Sequence, residues 1–304
     1  MIATVTLNLA LDVTYTVGEI AWHAANRVTA VSQRAGGKGV NVARVLAALG
    51  HRTVVCGLVG GHTGDSITAE LDAAGLQTAL TPIAGTSRRT VAVVDSSAGD
   101  ATGFWEPGPN VTEGEWHDFL DAYATVLGEA SAVVLSGSLP PGLPMDAYAR
   151  LCRRAAEAGV PAILDADGDA LRAGLAGHPA VIKPNYEELA RVAGGEDRVA
   201  AADGLRAAGA DSVVVSGGAD GMIAVTPEGV WRAAPPVHVV GNPTGAGDAA
   251  VAALTAGLVD GRAWPERLAD AVALSAAAVG APVAGGFDHE LYRRLRDRVE
   301  AHRA

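Results

Sequence analysis

The sequence predicts an α/β protein, with a mostly parallel central sheet covered by helices on both faces and a small β lid standing apart. Three observations carry that prediction. Short Val/Ile/Leu runs alternate with Ala-rich helical patterns along most of the chain. The strand candidates are short, continuous apolar runs, as strands buried on both faces are. Two segments, 13–31 and 90–104, break the rhythm with polar–apolar alternation and no helix between neighbours.

The first strand is expected at 4–9; no basic segment precedes it and an acid, Asp12, follows, so the opening stretch reads as a strand and not as a secretory signal. After the first irregular segment a Gly-rich stretch leads into a helix at 40–49. Strand 53–58 and helix 64–74 form the next βα unit, and the segment 90–104 interrupts again. Helix 113–124, strand 132–135, helix 144–158, strands 162–164 and 181–182, and helices 187–193 and 198–208 restore the alternation. Strands 212–215 and 222–225 flank the sequence VVSGGADG, and helices 249–258, 265–279 and 288–302 close the chain. No long linker, low-complexity tract or internal repeat divides it. One domain over 1–304 is expected, with lid strands drawn from about 13–31 and 90–104. In such a sheet, ligands lie beyond the carboxyl ends of the strands, so polar residues just after strands are the candidates for function.

Bulk properties narrow the classes. Half of the 304 residues are apolar, enough for a core without disulfides. A net charge of −11 disfavours nucleic acid or an anionic membrane as partner, while leaving room for a local basic pocket. Cys56 and Cys152 lack metal-ligand spacing and read as buried thiols of a reduced, cytoplasmic protein. Of 23 basic residues only two are lysine, Lys38 and Lys183. In so arginine-biased a chain, a lysine hints at a place that needs a compact ammonium.

RAGGKGVNVARVLAALG, residues 34–50, sets Gly36, Gly37 and Gly39 ahead of a helix, with Lys38 inside the cluster and Asn41 in the first turn. Glycines let backbone approach a ligand, and first-turn amides can hold anionic groups. A plain Gly-rich turn fits the same letters, and neither a dinucleotide fingerprint nor a Walker A loop is present. Arg88 and Arg89 start a strand, where adjacent side chains point to opposite faces, so one can face a cleft. SGSLPPG, residues 136–142, brings the Ser138 hydroxyl to a strand end, or is simply a turn.

Asp165 ends one strand, and Lys183, Asn185 and Glu188 follow the next. Carboxylates suit magnesium, which uses one or two of them together with substrate phosphates. Asn185 and Glu188 equally spell a capping box. Ser216, Gly218 and Gly221 suit a nucleotide phosphate or base, or a hairpin turn. In GNPTGAGDAA, residues 241–250, the glycines expose amides at a helix N-terminus, a fitting anion hole for a phosphoryl group in flight. Asp248 can accept the proton of an attacking hydroxyl, or serve as an N-cap worth about 1 kcal/mol.

Together these motifs resemble the PfkB, or ribokinase-like, carbohydrate kinases, in the expected order through nearly the whole chain. The Gly36–Asn41 cluster is similar to that family's N-terminal signature, Thr244–Asp248 to its C-terminal signature, and 183–189 to its N-x-x-E segment. The resemblance implies a ribokinase-like three-layer α/β/α fold with a β-clasp lid, and transfer of phosphate from ATP, with Mg²⁺, to a sugar hydroxyl. It implies Asp248 as catalytic base and Gly245, Ala246 and Gly247 as anion hole. Glu188 and Asp165 fall on metal-side acids; Lys183, Asn185, Ser216, Gly218 and Gly221, with Gly245 and Gly247, on the nucleotide side. Asp12, Gly37, Lys38, Asn41 and Ser138 fall on sugar-side positions.

Asn26-Arg27, GGKGVNVARVL, SGSLPPG and EPGP (residues 106–109) resemble the hexose-phosphate branch, whose substrates need basic contacts. Arg27, Lys38 and Arg88 are the candidates. Asn242 replaces an aspartate common in ribokinase-like relatives, Thr90 stands where this branch often has Asn, and Trp105 where a smaller polar residue is common. The expected reaction is fructose 1-phosphate to fructose 1,6-bisphosphate. Tagatose-6-phosphate kinase and 6-phosphofructokinase are the near alternatives, and a kinase of unphosphorylated sugar or nucleoside a further one. A noncatalytic sugar-binding protein is the rival class, against which the intact Asp248 and its glycines weigh. A homodimer through the lid follows by resemblance; a monovalent-cation requirement stays open.

Overall fold

Apolar runs and helical patterns resolve into fourteen strands and ten α-helices in the computed structural model, which describes residues 1–304. In chain order they are β1 (Ile2–Thr6), β2 (Ala10–Val17), β3 (Ala30–Gly36), α1 (Lys38–Ala48), β4 (Thr53–Val59), α2 (Gly61–Ala73), β5 (Gln77–Pro82), β6 (Arg88–Asp95) and β7 (Asp100–Trp105). Then come α3 (Glu113–Leu127), β8 (Ala132–Ser136), α4 (Ala147–Glu157), β9 (Ala162–Asp165), α5 (Gly168–Gly174), β10 (Val181–Ile182), α6 (Tyr186–Ala193) and α7 (Arg198–Ala207). The chain finishes with β11 (Ser212–Ser216), β12 (Met222–Thr226), β13 (Gly229–Ala233), α8 (Ala246–Val259), α9 (Trp264–Val279), α10 (His289–Arg296) and β14 (Ala301–Arg303).

The large sheet runs β14-β13-β12-β11-β10-β9-β8-β1-β4-β5. From β11 to β5 every pairing is parallel, and β12, β13 and β14 add an antiparallel edge. Alternate residues of each strand feed two cores on opposite faces, which is why the strands read as unbroken apolar runs. Val133 and Leu135 meet Phe119, Tyr123, Tyr148 and Leu151 on one side. Val134 belongs to the core on the other, which it shares with Val42 of α1, Val251 of α8 and Leu274 of α9. Each such fully buried Val, Leu or Phe contributes about 1.5–3 kcal/mol. Parallel pairing brings Thr6, Ser136, Asp165 and Ser216 to neighbouring carboxyl ends on one edge of the sheet. No helix is long and apolar enough to cross a membrane.

The second sheet, β3-β2-β6-β7, stands over that edge. Its foot is anchored because Leu11, Val13 and Ala35 bury against Val40, Ala43, Ile67 and Leu71 of α1 and α2. Register lines up Arg34, Asp12, Thr90 and Trp105 in one row across its four strands.

Several expectations need correction. The first strand ends at Thr6, and residues 7–9 form the turn into β2. The small sheet extends closer to the site than expected, from Ala10, to Gly36 and from Arg88, because β2 pairs with both β3 and β6 along that length. Its two hairpins are antiparallel, but the β2–β6 pair that joins them is parallel. The helix expected at 288–302 stops at Arg296, and Ala301–Arg303 instead pair with β13. Strands β5, β13 and β14 and helix α5 are not foreseen, being short elements with weak periodicity.

Candidate active site

The site grows from the α8 N-terminus. Gly245 caps α8 with φ 88°, and a β-carbon there would lie 2.9 Å from both Ala284 Cα and Cβ, so the turn takes glycine. Gly245 holds the N-cap position and Asp248 lies inside the first helical turn, which removes the N-cap reading. Its Oδ2 instead accepts a hydrogen bond of 2.8 Å from Asn41 Nδ2. Asn41 lies in the first turn of α1, which packs beside α8 in the same core, so the two Gly-rich motifs meet here. Asp248 is only 7 % exposed. Burial, reinforced by the neighbouring Asp165 carboxylate, pushes its carboxyl up to about 7, against the pull of Asn41, Lys38 and Lys183.

Both lysines of the chain converge on Asp165. Lys38 Nζ lies 3.3 Å from Oδ2 and Lys183 Nζ 3.6 Å from Oδ1. Neither oxygen has a well-formed hydrogen bond, so charge holds the triad together. Burial drives the Asp165 carboxyl up, but the two ammonium groups outweigh it and hold it below the usual range. Asp165, then Glu188 and Asp248, push Lys38 well above the usual lysine value, opposed by burial. Lys183 is buried, and its Nζ is 3.4 Å from where a β-carbon on Gly247 would stand. Its ammonium therefore sits against the amide end of α8, beside Gly245, Ala246 and Gly247. Lys38 is half-buried, so unlike Lys183 its side chain keeps a solvent-facing surface while paired with Asp165.

Asn185 and Glu188 form the capping box of α6. Glu188 Oε2 accepts from the Asn185 amide and Asn185 Oδ1 from the Glu188 amide, each at 2.8 Å. That employs one carboxylate oxygen and leaves Oε1 to the site. Asn185 also bridges to Ser216 at the end of β11. Gly218 and Gly221 turn β11 into the antiparallel β12, so the hairpin reading holds. The same turn borders a cleft of about 330 Å³ that reaches Ala246 and is walled by Met222, Val239, Val272 and Val279.

On the other side lie the residues of the second sheet. The Asp12 carboxylate accepts from the Thr90 hydroxyl and packs against Gly36. Burial raises its pKa, offset in part by Thr90 and by Arg88, Arg34 and Arg44. Gly37 caps α1 against Thr6. Arg88 donates to the carbonyls of Asn8 (3.1 Å) and Glu106 (3.3 Å), and Ser138 accepts from Asn8 Nδ2 at 3.1 Å. Arg27 is not brought in: it lies in the exposed β2–β3 connection and makes no hydrogen bond or ion pair.

Asn8, Arg34 and the cleft walls are not foreseen. Asn8 stands buried between apolar residues, a signal the sequence did carry, and it links Arg88, Ser138 and Pro107. Arg34 donates to the Ala284 carbonyl across 250 residues, and no local pattern announces such a contact. The cleft walls gather from β12, the segment 235–243 and α9, which only the fold brings together.

The family model of pfkB family carbohydrate kinases matches residues 6–288. Phosphofructokinase-2 from Escherichia coli, solved in complex with potassium, is 29% identical over 97% of this chain and 98% of its own, with a TM-score of 0.90. That protein is also solved with fructose-6-phosphate and in a tetrameric inhibited form. A possible 1-phosphofructokinase from Thermotoga maritima is 28% identical over 100% of this chain and 99% of its own, with a TM-score of 0.87. Ribokinase from Arabidopsis thaliana, complexed with ribose and ATP, shares the fold at 21% identity, 97% and 98% coverage and a TM-score of 0.78.

Proposed function

The chain belongs to the pfkB family of carbohydrate kinases, and from that premise we propose that it phosphorylates a ketohexose phosphate with ATP, fructose 1-phosphate foremost. The observation that carries the reading is Asp248: a buried carboxylate, unused as a cap, oriented by Asn41 at the amide end of α8. In the proposed step the sugar hydroxyl gives its proton to Asp248 as its oxygen bonds to the γ-phosphorus. The bond from that phosphorus to the bridging oxygen breaks, and ADP leaves with the electron pair. The amides of Gly245, Ala246 and Gly247, with Lys183 beside them, receive the charge on the transferring group.

Among the buried polar atoms without a hydrogen-bond partner are Thr6 Oγ1, Ser136 Oγ and the Asp165 carboxylate oxygens, all at the strand ends, which supports a site for a polar ligand. No three acidic, His or Cys side chains converge as a metal cage. Asp165 is occupied by two lysines, while Glu188 keeps Oε1 available, so these residues fit a magnesium ion carried by the nucleotide phosphates. When bound, that ion would supply charge neutralisation of the phosphates. The 330 Å³ cleft between the Gly218–Gly221 turn and Ala246 suits the nucleotide.

Lys38 and Arg88 are the proposed contacts for the sugar phosphate, with Asp12 and Asn41 for its hydroxyls. Fructose 6-phosphate is the second reading, favoured by the E. coli neighbour's complex with it. ADP release with fructose 1-phosphate, fructose 6-phosphate, tagatose 6-phosphate, fructose and ribose ranks the substrates by kcat/KM. A free sugar ahead of every phosphorylated hexose would overturn the phosphate-site assignment. The same assay with potassium replaced by tetramethylammonium reads the monovalent-cation requirement. We further propose a cytoplasmic enzyme that pairs through its small sheet, the lid, which exposes apolar surface at Trp22 and Phe104. The E. coli neighbour's inhibited form is a tetramer.

A further inference from the structure

We infer that Arg34 is a positioning residue that ties the lid to the phosphoryl-transfer end of the site. The inference rests on the reading of Asp248 and the α8 N-terminus as that end. Arg34 lies on lid strand β3, directly across from Asp12, and its Nη1 donates to the Ala284 carbonyl at 2.7 Å. This is the one hydrogen bond between the lid and the segment 280–287 that follows α9.

That segment touches both groups that set the base. Ala284 packs on Gly245, which caps α8, and Gly285 packs on Asn41, which orients Asp248. A β-carbon on Gly285 would stand 3.1 Å from Asn41 Oδ1 and 3.0 Å from Arg44 Cδ, so the backbone there has little room to shift. At its other end Arg34 springs from a fixed point. The Ala35 amide donates to Glu70 Oε2 at 3.1 Å, and Arg44 pairs with Glu70 while donating to the Ala35 carbonyl. Burial and the neighbouring Arg44 disfavour the Arg34 charge, and Glu70 and Asp12 offset them only in part. A sugar seated on Asp12 therefore lies one strand from the residue that holds the loop against Gly245 and Asn41. Arg34 touches no reacting atom, and its effect passes through Ala284.

The test compares wild type with R34A, R34M and R34K in two measurements. With the preferred sugar phosphate and ATP, R34A and R34M are expected to lose about tenfold to a hundredfold in kcat, the range a charge-assisted hydrogen bond commands, while KM for the sugar phosphate moves by less than about twofold. R34K, which can still donate to the carbonyl, restores most of the loss. In substrate-free protein, hydrogen exchange at amides 245–248 and 281–286 is expected to quicken in R34A and R34M but not in R34K. R34M keeps the aliphatic stem, so it decides the matter if R34A does not fold. Wild-type-like kcat in R34M, a loss confined to the KM of the sugar phosphate, or unchanged exchange at those amides would each overturn the inference. A wild-type enzyme that turns over no sugar phosphate defeats the functional reading instead, and the exchange comparison still decides the role of Arg34.

Discussion

Asp248 has the burial of a core residue, and the proposed reaction asks it to act as a base. Its carboxyl, held near pH 7 by burial and by Asp165, matches the pH at which a base is most useful. Because only the deprotonated form accepts a proton, kcat/KM is expected to rise with pH through about 7, measured in free-enzyme conditions. D248N keeps the size and a partner for Asn41 but not the base, so turnover should fall by about 10²–10⁴-fold. Stability carries the opposite sign. The folded pKa, about 7, lies above that of an aspartate in the unfolded chain, about 3.9, so the stability linked to the protonated form is fully present below the lower value and is lost as pH rises through the upper one. D248N escapes that loss, and its advantage in Tm over wild type should widen between pH 5 and pH 8. A D248N enzyme with wild-type turnover would remove the base.

At the scale of elements, the proposed reaction gives the helix starts of α6 and α8 a second purpose beyond capping. The capping box on α6 holds Glu188 in place by Oε2 and leaves Oε1 unengaged, the oxygen the proposed reaction assigns to the nucleotide's magnesium ion. E188Q can still close the box, so Tm should stay near wild type while the magnesium concentration for half-activity rises. E188A should lose about 1 kcal/mol in denaturant unfolding as well. Equal magnesium dependence in wild type and E188Q would leave Glu188 with capping alone. On α8, G245A forces a side chain into φ 88°, which costs about 1–2 kcal/mol before its contact with Ala284 is counted. Both Tm and kcat should drop, and a loss of Tm with kcat intact would detach the cap from the anion hole. These two starts were legible beforehand because caps and glycine turns are local. The dual use of Glu188 was legible only as two competing readings, since letters three apart report spacing and not where the spare oxygen points.

Across the whole molecule, the small sheet carries an uneven surface. Its foot is buried by α1 and α2, but Trp22 is 68% and Phe104 57% exposed beside a cavity of about 380 Å³ lined by Tyr15, Val17, Ile20 and Val93. An exposed apolar face of that kind is where the proposed pairing of two copies would place its contact. W22E and F104E should shift sedimentation toward the monomer with Tm little changed. Unaltered sedimentation of both variants across protein concentration would move the interface elsewhere.

What the sequence by itself determined is whatever depends on neighbours in the chain. The βα rhythm follows from apolar runs and helical periods, the two departures from that rhythm mark the second sheet, and the Gly-rich helix starts mark the site. It also singled out two lysines, on composition alone. Only the tertiary structure decided what those lysines do: parallel pairing of β9 with β10 sets Lys183 beside Asp165, and the start of α1 brings Lys38 to the same carboxylate from far along the chain. It likewise separated Asp248 from capping, left Arg27 outside the site and joined Arg34 to Ala284. Contacts of that kind arise from strand order and register, which are set by packing over the whole chain and leave no periodic trace at the residues they unite.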